Sequence, residues 1–246
     1  MEDYTKPSPA NDCRDRNHSS VDGRAAGPLA GAVAQALRAG RSPRNHDFDR
    51  FLPDDLRRVS AQFWTPIEVA VRAAQWLDEL DVRTVVDVGS GAGKFCVAAA
   101  LAGRSHFTGI EQRSRLVMAA RGLARVYEIE DRVRFVEAAL GRAEVPRADA
   151  YYFFNPFGEN LFGREDHLDD DVELGVDRYQ RDTAAAEELL NEAPLGTYLL
   201  TYNGFGGRVP DSYDEVRVDR ELPNVLRMWR KARLVAAGPG LRADEL

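Results

Sequence analysis

Short apolar runs alternate with amphipathic stretches through most of the chain. Five runs have the length and composition of buried strands: 84–88, 106–110, 133–136, 150–154 and 196–202. Three stretches between them carry apolar residues at helical spacing: 94–102, 113–127 and a segment that ends near residue 190. Strands that alternate with helices predict an α/β fold whose sheet is mainly parallel, with right-handed crossovers.

The last part of the chain has a different pattern. Residues 213–218 and 225–229 are two strand-like runs joined by a short polar connection, with no helix between them. Such a pair predicts an antiparallel hairpin at one edge of the sheet. The predicted fold is therefore Rossmann-like and doubly wound, with a mainly parallel seven-stranded sheet, an antiparallel edge hairpin and an N-terminal helical extension.

The N-terminal third divides into two parts. Residues 1–27 are polar and lack an apolar period, so we expect a disordered tail. Residues 28–80 are predicted to form the helical extension, whose last helix starts with Thr65 as N-cap and Pro66 as first helical residue. Residues 81–246 then form a single domain.

Composition excludes several classes of protein. The net charge is −7, and the acidic excess lies in residues 61–246 because residues 1–60 are nearly balanced. This argues against a long basic stripe for nucleic acid. The two cysteines, Cys13 and Cys96, indicate neither a disulfide framework nor a metal site. We expect no metal and no membrane partner, and a cytoplasmic location, because the chain has no long apolar span and no signal-peptide pattern.

A glycine turn, Gly89, Gly91 and Gly93, follows the first strand and opens a helix, as in nucleotide sites. A P-loop would need a hydroxyl residue after Lys94, where Phe95 stands. A dinucleotide fingerprint would need glycine at position 94 itself. Phe95 therefore weighs against the first interpretation and Lys94 against the second.

A third pattern fits better. Asp87-Val-Gly89-Ser-Gly91-Ala-Gly93 resembles the first motif of class I S-adenosylmethionine-dependent methyltransferases, and Glu111 ends the second strand, where that family places an acid on the ribose hydroxyls. The resemblance implies S-adenosyl-L-methionine as cofactor, with Asp87 organising the turn and the methionine end. It implies a set of cofactor-binding residues: Asp87, Gly89, Ser90, Gly91, Gly93, Glu111 and Gln112. Ala139 occupies the slot of the family's adenine-binding acid, so we expect backbone and apolar packing around Ala139 and Leu140 to hold the adenine.

Two further segments resemble parts of methyltransferases that act on planar amines. Asn155-Pro156-Phe157 ends the fourth strand and is similar to their Asn-Pro-Pro-aromatic motif, which implies catalytic roles for these three residues and cofactor contact by Asn155. Phe157 stands where the second proline would be, which changes the stacking position. Phe63-Trp64-Thr65-Pro66 resembles the segment that covers the methionine part of the cofactor, so Trp64 and Thr65 join the predicted site. Core packing is the alternative role for Trp64.

Over residues 60–235 the chain resembles a group of bacterial proteins described only as class I methyltransferases. We therefore expect a methyltransferase that modifies a nitrogen of an unidentified acceptor, a protein or a small molecule. A nucleic-acid amine methyltransferase, with 38–58 as its contact, and a non-catalytic cofactor-binding module remain open. A nicotinamide oxidoreductase is disfavoured by Lys94. The acidic stretch 165–173 is either a solvated helix start or a lip for a cationic substrate, and the loop 203–207 is expected to lie over the site.

Overall fold

The computed structural model describes residues 27–142 and 144–234 of the chain. The predicted disordered tail, apart from Gly27, lies outside the described residues, as does Cys13. The strands are β1 (Thr84–Val88), β2 (His106–Glu111), β3 (Val133–Glu137), β4 (Ala150–Phe153), β5 (Tyr198–Tyr202), β6 (Tyr213–Asp219) and β7 (Leu226–Lys231). The helices are α1 (Pro28–Arg38), α2 (Asn45–Asp49), α3 (Asp54–Arg58), α4 (Ser60–Phe63), α5 (Ile67–Glu79), α6 (Lys94–Ala102), α7 (Ser114–Val126) and α8 (Val176–Glu192).

The sheet has the predicted architecture. Its seven strands lie in the order β3-β2-β1-β4-β5-β7-β6. The first five are parallel to one another, β7 runs antiparallel to β5, and β6 completes the antiparallel edge. The strand order reverses between β1 and β4, which is the place where open α/β sheets bind ligands beyond the carboxyl ends of their strands.

The two faces of the sheet are covered unequally. Helices α1, α5, α6 and α7 pack with Val85, Phe107 and other residues of one face into the larger hydrophobic cluster. On the other face, Val86 and Val88 pack against α8. No helix connects β3 to β4 or β5 to β6 within the described residues. Irregular segments therefore border the carboxyl edge of the sheet on the α8 side.

The start of α5 differs from the prediction. The helix begins at Ile67, after Pro66, and Thr65 is not its N-cap. The Thr65 hydroxyl instead pairs with the Tyr152 hydroxyl at 2.9 Å. The free N–H of Ile67 donates to the side-chain oxygen of Asn45, also at 2.9 Å. A residue more than twenty positions away thus serves as the cap, which a local sequence pattern cannot indicate.

The N-terminal helices share the core of the sheet. The Phe48 ring stacks on Tyr127 with centroids 4.8 Å apart, and Phe48 is fully buried. Among the described helices, none is both long and apolar enough to cross a membrane.

Candidate cofactor and methyl-transfer site

A cleft of about 440 Å³ lies at the carboxyl ends of β1, β2 and β4. It is lined by ten of the residues that the sequence predicted for the site: Trp64, Gly89, Gly91, Glu111, Gln112, Ala139, Leu140, Asn155, Pro156 and Phe157. These residues come from five separate segments, and the sheet topology brings them together where its order reverses. Four others, Thr65, Asp87, Ser90 and Gly93, do not line this cleft.

The three glycines of the turn all have left-handed backbones, with φ of 75°, 54° and 78° at Gly89, Gly91 and Gly93. A Cβ at Gly89 would lie 2.5 Å from Pro156, and one at Gly91 would lie 2.3 Å from the Trp64 ring. Glycine is therefore required both by the backbone conformation and by close packing of protein side chains. The space that their missing side chains leave is filled by the protein itself.

Glu111 holds the glycine turn in place. Its Oε2 accepts a hydrogen bond from the Gly91 N–H at 3.0 Å, and its Oε1 accepts one from the Arg113 N–H at 2.9 Å. Burial raises the pKa of Glu111, and these backbone donors oppose that shift. Each carboxylate oxygen still has a lone pair for a further donor. The side chain lines the cleft.

Asp87 does not organise the turn as predicted. Its carboxylate accepts a hydrogen bond from the Cys96 thiol at 3.3 Å, with no turn amide among its described partners. The pKa of Asp87 is raised to about 7, mainly by burial and also by the nearby Glu111, while the hydrogen bond from Cys96 opposes the rise. Asp87, Thr65 and Ser90 border a separate cavity of about 20 Å³ beneath the turn. That volume suits a single water molecule.

Trp64 is both a core residue and a wall of the cleft. It is 6% exposed, and its indole N–H donates to the Leu56 carbonyl at 3.1 Å. The ring covers Gly91 and faces the cleft. The two predicted roles of Trp64, packing and lining the site, therefore do not exclude each other.

Asn155 has a constrained backbone at the end of β4. Its φ is 40°, its N–H donates to the Gly204 carbonyl at 2.9 Å, and its carbonyl accepts from Gly158 at 3.1 Å. A Cβ on Gly158 would lie 2.3 Å from the Asn155 side-chain nitrogen. The loop after β5 thus fixes Asn155 from one side and Gly158 leaves room for its amide. Of the loop 203–207, which was expected to lie over the site, only Asn203 lines the cleft.

Phe157 is not positioned as an open stacking platform. It is 5% exposed and packs in the smaller hydrophobic cluster, although it also lines the cleft. Besides Trp64, three other phenylalanines line the cleft: Phe63, Phe154 and Phe162. The Phe162 ring lies 6.3 Å from Phe63, and Phe162 is 37% exposed. These aromatic residues provide the accessible apolar surface near Asn155.

The acidic stretch 165–173 is not the start of α8, which begins only at Val176; its first two acids lie in a short 3-10 helix, Arg164–Asp166. Within it, Asp169 accepts hydrogen bonds from Arg113 at 2.7 Å and from Arg115 at 2.9 Å. Burial works against ionisation of Asp169, but the two arginines outweigh it and lower its pKa. Arg113 also bonds Glu159 at 2.9 Å. This network fastens the segment beside the cleft.

A second charged pair was missed by sequence reasoning. Arg178 and Asp182 of α8 are both 7% exposed and both line the cleft. The Arg178 Nε donates to the two Asp182 oxygens at 2.7 and 2.8 Å, and Nη2 donates to the Gln112 Oε1 at 3.0 Å. Opposite charges four residues apart are usual on exposed helix faces, so the sequence carried no signal of burial.

Lys94 has a structural role that explains its presence after the turn. It is 2% exposed, and its Nζ contacts Asp49 at 2.9 Å and the Ser60 hydroxyl at 3.1 Å. Burial lowers the pKa of Lys94, and Asp49 opposes that shift. The cluster joins α2 and α4 to the first residue of α6. Among the described residues, no group of three or more histidine, cysteine or acidic side chains is arranged to hold a metal ion.

No protein-family model and no curated protein matches the chain. Among solved structures it is similar to the O-methyltransferase from Bacillus cereus in complex with S-adenosylhomocysteine, at 13% identity and a TM-score of 0.52, with 81% of this chain and 97% of that chain covered. It is also similar to an RNA methyltransferase from Salinibacter ruber in complex with S-adenosyl-L-homocysteine, at 21% identity and a TM-score of 0.49, with 70% and 95% covered. The strand order and the similarity to the Bacillus cereus structure agree: the chain has the fold of the class I S-adenosylmethionine-dependent methyltransferases.

Proposed function

We propose that the chain is an S-adenosylmethionine-dependent methyltransferase that modifies a nitrogen atom of a protein or small-molecule acceptor. One observation carries the proposal: the glycine turn, Glu111 and Asn155 line a single cleft at the point where the strand order reverses. A ligand made of a nucleoside and an amino acid would span these groups. The bound S-adenosylhomocysteine in the two similar structures supports the choice of cofactor.

The residues of the cleft suit the parts of this cofactor. Glu111 is buried and keeps free lone pairs, so it would accept hydrogen bonds from both ribose hydroxyls, each contributing roughly 1.5–3 kcal/mol. Trp64 beside Gly91 would face the methionine part, where its ring suits the positive sulfonium. Ala139 and Leu140 would pack against the adenine.

Few residues are needed for the reaction. When bound, the cofactor supplies a methyl group that its sulfonium already activates. The chain has to align the acceptor and exclude water, and alignment can contribute up to roughly 7–11 kcal/mol in ideal cases. The Asn155 amide oxygen and the Pro156 carbonyl would accept hydrogen bonds from the acceptor amine, which aims its lone pair. Phe63, Phe154 and Phe162 would shield the reacting atoms from water.

The charge of the chain supports a protein or small-molecule acceptor. The acidic excess of residues 61–246 opposes the approach of a polyanion, whose binding depends on lysine and arginine contacts. The segment next to the cleft adds exposed carboxylates, among them Glu165, Asp166 and Asp170. The nitrogen preference rests on Asn155 and Pro156, the residues that present acceptor oxygens at the end of β4.

Transfer of a tritiated methyl group from S-adenosylmethionine into a cell extract tests the proposal. Parallel reactions are treated with nuclease, with protease, or passed over a desalting column. We expect label that survives nuclease and is removed by protease or by desalting. Label that only nuclease removes would support a nucleic-acid acceptor, and no label under any condition would support a non-catalytic binding module.

The Asn155→Ala variant separates binding from transfer. We expect its affinity for S-adenosylhomocysteine to stay within about twofold of wild type, while turnover falls by about 10²-fold or more because the acceptor is no longer aligned. Calorimetry measures the first quantity and the tritium assay the second. Unchanged turnover would assign Asn155 to the turn alone.

A further inference from the structure

The segment after β3 provides no charged partner for a nucleobase. It reads Ala138-Ala139-Leu140, and these residues line the cleft. The nearest acid in sequence, Glu137, is directed to the Ser114 hydroxyl on α7. If the cleft holds an adenine ring, the donors and acceptors that recognise its polar edge must come from another element.

Helix α8 brings such groups to the same cleft. Arg178 and Asp182 lie one helical turn apart, are buried and line the cleft. Asn160 fastens the preceding loop, because its side-chain oxygen accepts from the Gly175 N–H at 3.2 Å while its nitrogen donates to Phe157 at 3.0 Å. A buried ion pair is rarely a net source of stability. Stability therefore does not explain why Arg178 and Asp182 line the cleft, and a role in binding a ligand would.

Chemistry fixes how Gln112 is oriented beside this pair. A guanidinium group donates but cannot accept hydrogen bonds, so the Gln112 atom that faces Arg178 at 3.0 Å must be the carbonyl oxygen. The amide nitrogen of Gln112 is then free of Arg178 and can donate elsewhere. Gln112 directly follows Glu111, the residue assigned to the ribose. The three side chains therefore form one hydrogen-bonded group that lines the cleft next to Glu111.

We propose that Asp182 accepts a hydrogen bond from the exocyclic amine of the cofactor's adenine, that the Gln112 amide donates to a ring nitrogen, and that Arg178 is the positioning residue for both. This inference rests on the proposed function. Asp182 thus replaces the missing acid after β3 and comes from the neighbouring helix α8, whose Ala185 lies beside Gly141. The site selects a 6-amino purine over a 6-oxo purine, because the latter presents an oxygen to the carboxylate.

Calorimetric titration with S-adenosylhomocysteine and S-inosylhomocysteine tests this inference. The wild-type chain is expected to bind the adenosyl compound roughly 10- to 100-fold more tightly, the effect of one hydrogen bond to a charged group. In the Asp182→Asn variant the amide can donate to the 6-oxo group, so the preference should fall below about threefold or reverse. The ratio of two affinities on one sample is insensitive to partial unfolding of the variant.

Asp169→Asn is the matched control. Asp169 is also paired with arginines, but it does not line the cleft, so its variant should keep the wild-type ratio. Equal wild-type affinity for both compounds, or an unchanged ratio in Asp182→Asn, would overturn the role of Asp182 and leave the cofactor site intact. Binding of neither compound to the wild type would instead overturn the proposed function.

Discussion

Glu111 combines two tasks at the end of β2. Its two carboxylate oxygens accept hydrogen bonds from the Gly91 and Arg113 amides. The residue that would bind the ribose therefore also shapes the glycine turn. The sequence predicted the ribose role from the position of the acid. The structural role depends on the contact with Gly91, twenty residues away, and no local pattern indicates it.

The Glu111→Gln variant tests the ribose role. The amide keeps the size of the side chain but lacks the charge, so we expect affinity for S-adenosylhomocysteine to fall roughly 10- to 100-fold. Calorimetry measures the change. Glu137→Gln is the control, because Glu137 pairs with Glu111 in the β2–β3 register but lies outside the cleft. If both variants lower the affinity for S-adenosylhomocysteine equally, then Glu111 does not bind the ribose.

Asp87 predicts a pH dependence of stability. Its pKa is raised from 3.8 to about 7 in the folded chain. Between these two pH values, the carboxyl of the folded state holds a proton that the unfolded state has lost. Stability from this group is therefore present at low pH and declines as pH rises toward 7. Between pH 5 and pH 8, the stability of Asp87→Asn relative to wild type should increase by about 2–3 kcal/mol.

Urea unfolding at both pH values checks this prediction. Asn resembles the neutral carboxyl in size and stays uncharged, so the variant isolates the titration of Asp87. If the difference in free energy of unfolding between the two proteins is the same at pH 5 and pH 8, then Asp87 is already ionised in the folded state at pH 5.

Helix α6 is joined to the N-terminal helices through a buried charge cluster. Lys94 at its first residue contacts Asp49 of α2 and Ser60 of α4. The Lys94→Met variant leaves the Asp49 carboxylate buried without its partner, so we expect a loss of about 3–5 kcal/mol in the free energy of unfolding. Urea denaturation measures this loss.

The double variant Lys94→Met, Asp49→Leu is the companion experiment. Removing both charges avoids an isolated buried ion, so most of the stability should return. If the double variant loses the sum of the two single effects, then the two residues act independently and the cluster does not join these helices.

Elements built on local patterns were predicted well. The bounds of β1 and α6 match the prediction, because a buried apolar run and a glycine turn mark them clearly. The interpretation of the acidic stretch 165–173 as a solvated start of α8 was wrong, since charge alone does not distinguish a solvated helix from a segment paired with distant arginines. Its role as a lip for a cationic substrate stays a prediction. The Asn45 cap of α5 and the Lys94–Asp49 pair also depend on residues that are far apart in sequence.

At the scale of the whole molecule, the sequence predicted ten of the residues that line the cleft. Glu111, Gln112 and Asn155 line it because each lies at or just after the carboxyl end of a strand, and the sequence predicted that these strands are parallel. Arg178 and Asp182 were missed, since their burial depends on how α8 packs on the sheet. The assignment of cofactor and catalytic roles and the cytoplasmic location stay predictions.

The net charge of −7 leads to a prediction about nucleic acid. Without a basic stripe, the chain should bind a 20-base-pair duplex only weakly, with a Kd above about 10⁻⁴ M at physiological salt. Fluorescence anisotropy with labelled DNA and RNA duplexes measures this. Tighter binding that weakens steeply as salt is raised would support the nucleic-acid alternative.

A crystal structure of the chain with S-adenosylhomocysteine tests the central claim most directly. We predict the ribose hydroxyls on Glu111, the adenine between Gln112 and Ala139, and the sulfur facing Asn155. Binding of the ligand elsewhere, or no bound ligand at a saturating concentration, would contradict the claim that this cleft is the cofactor site.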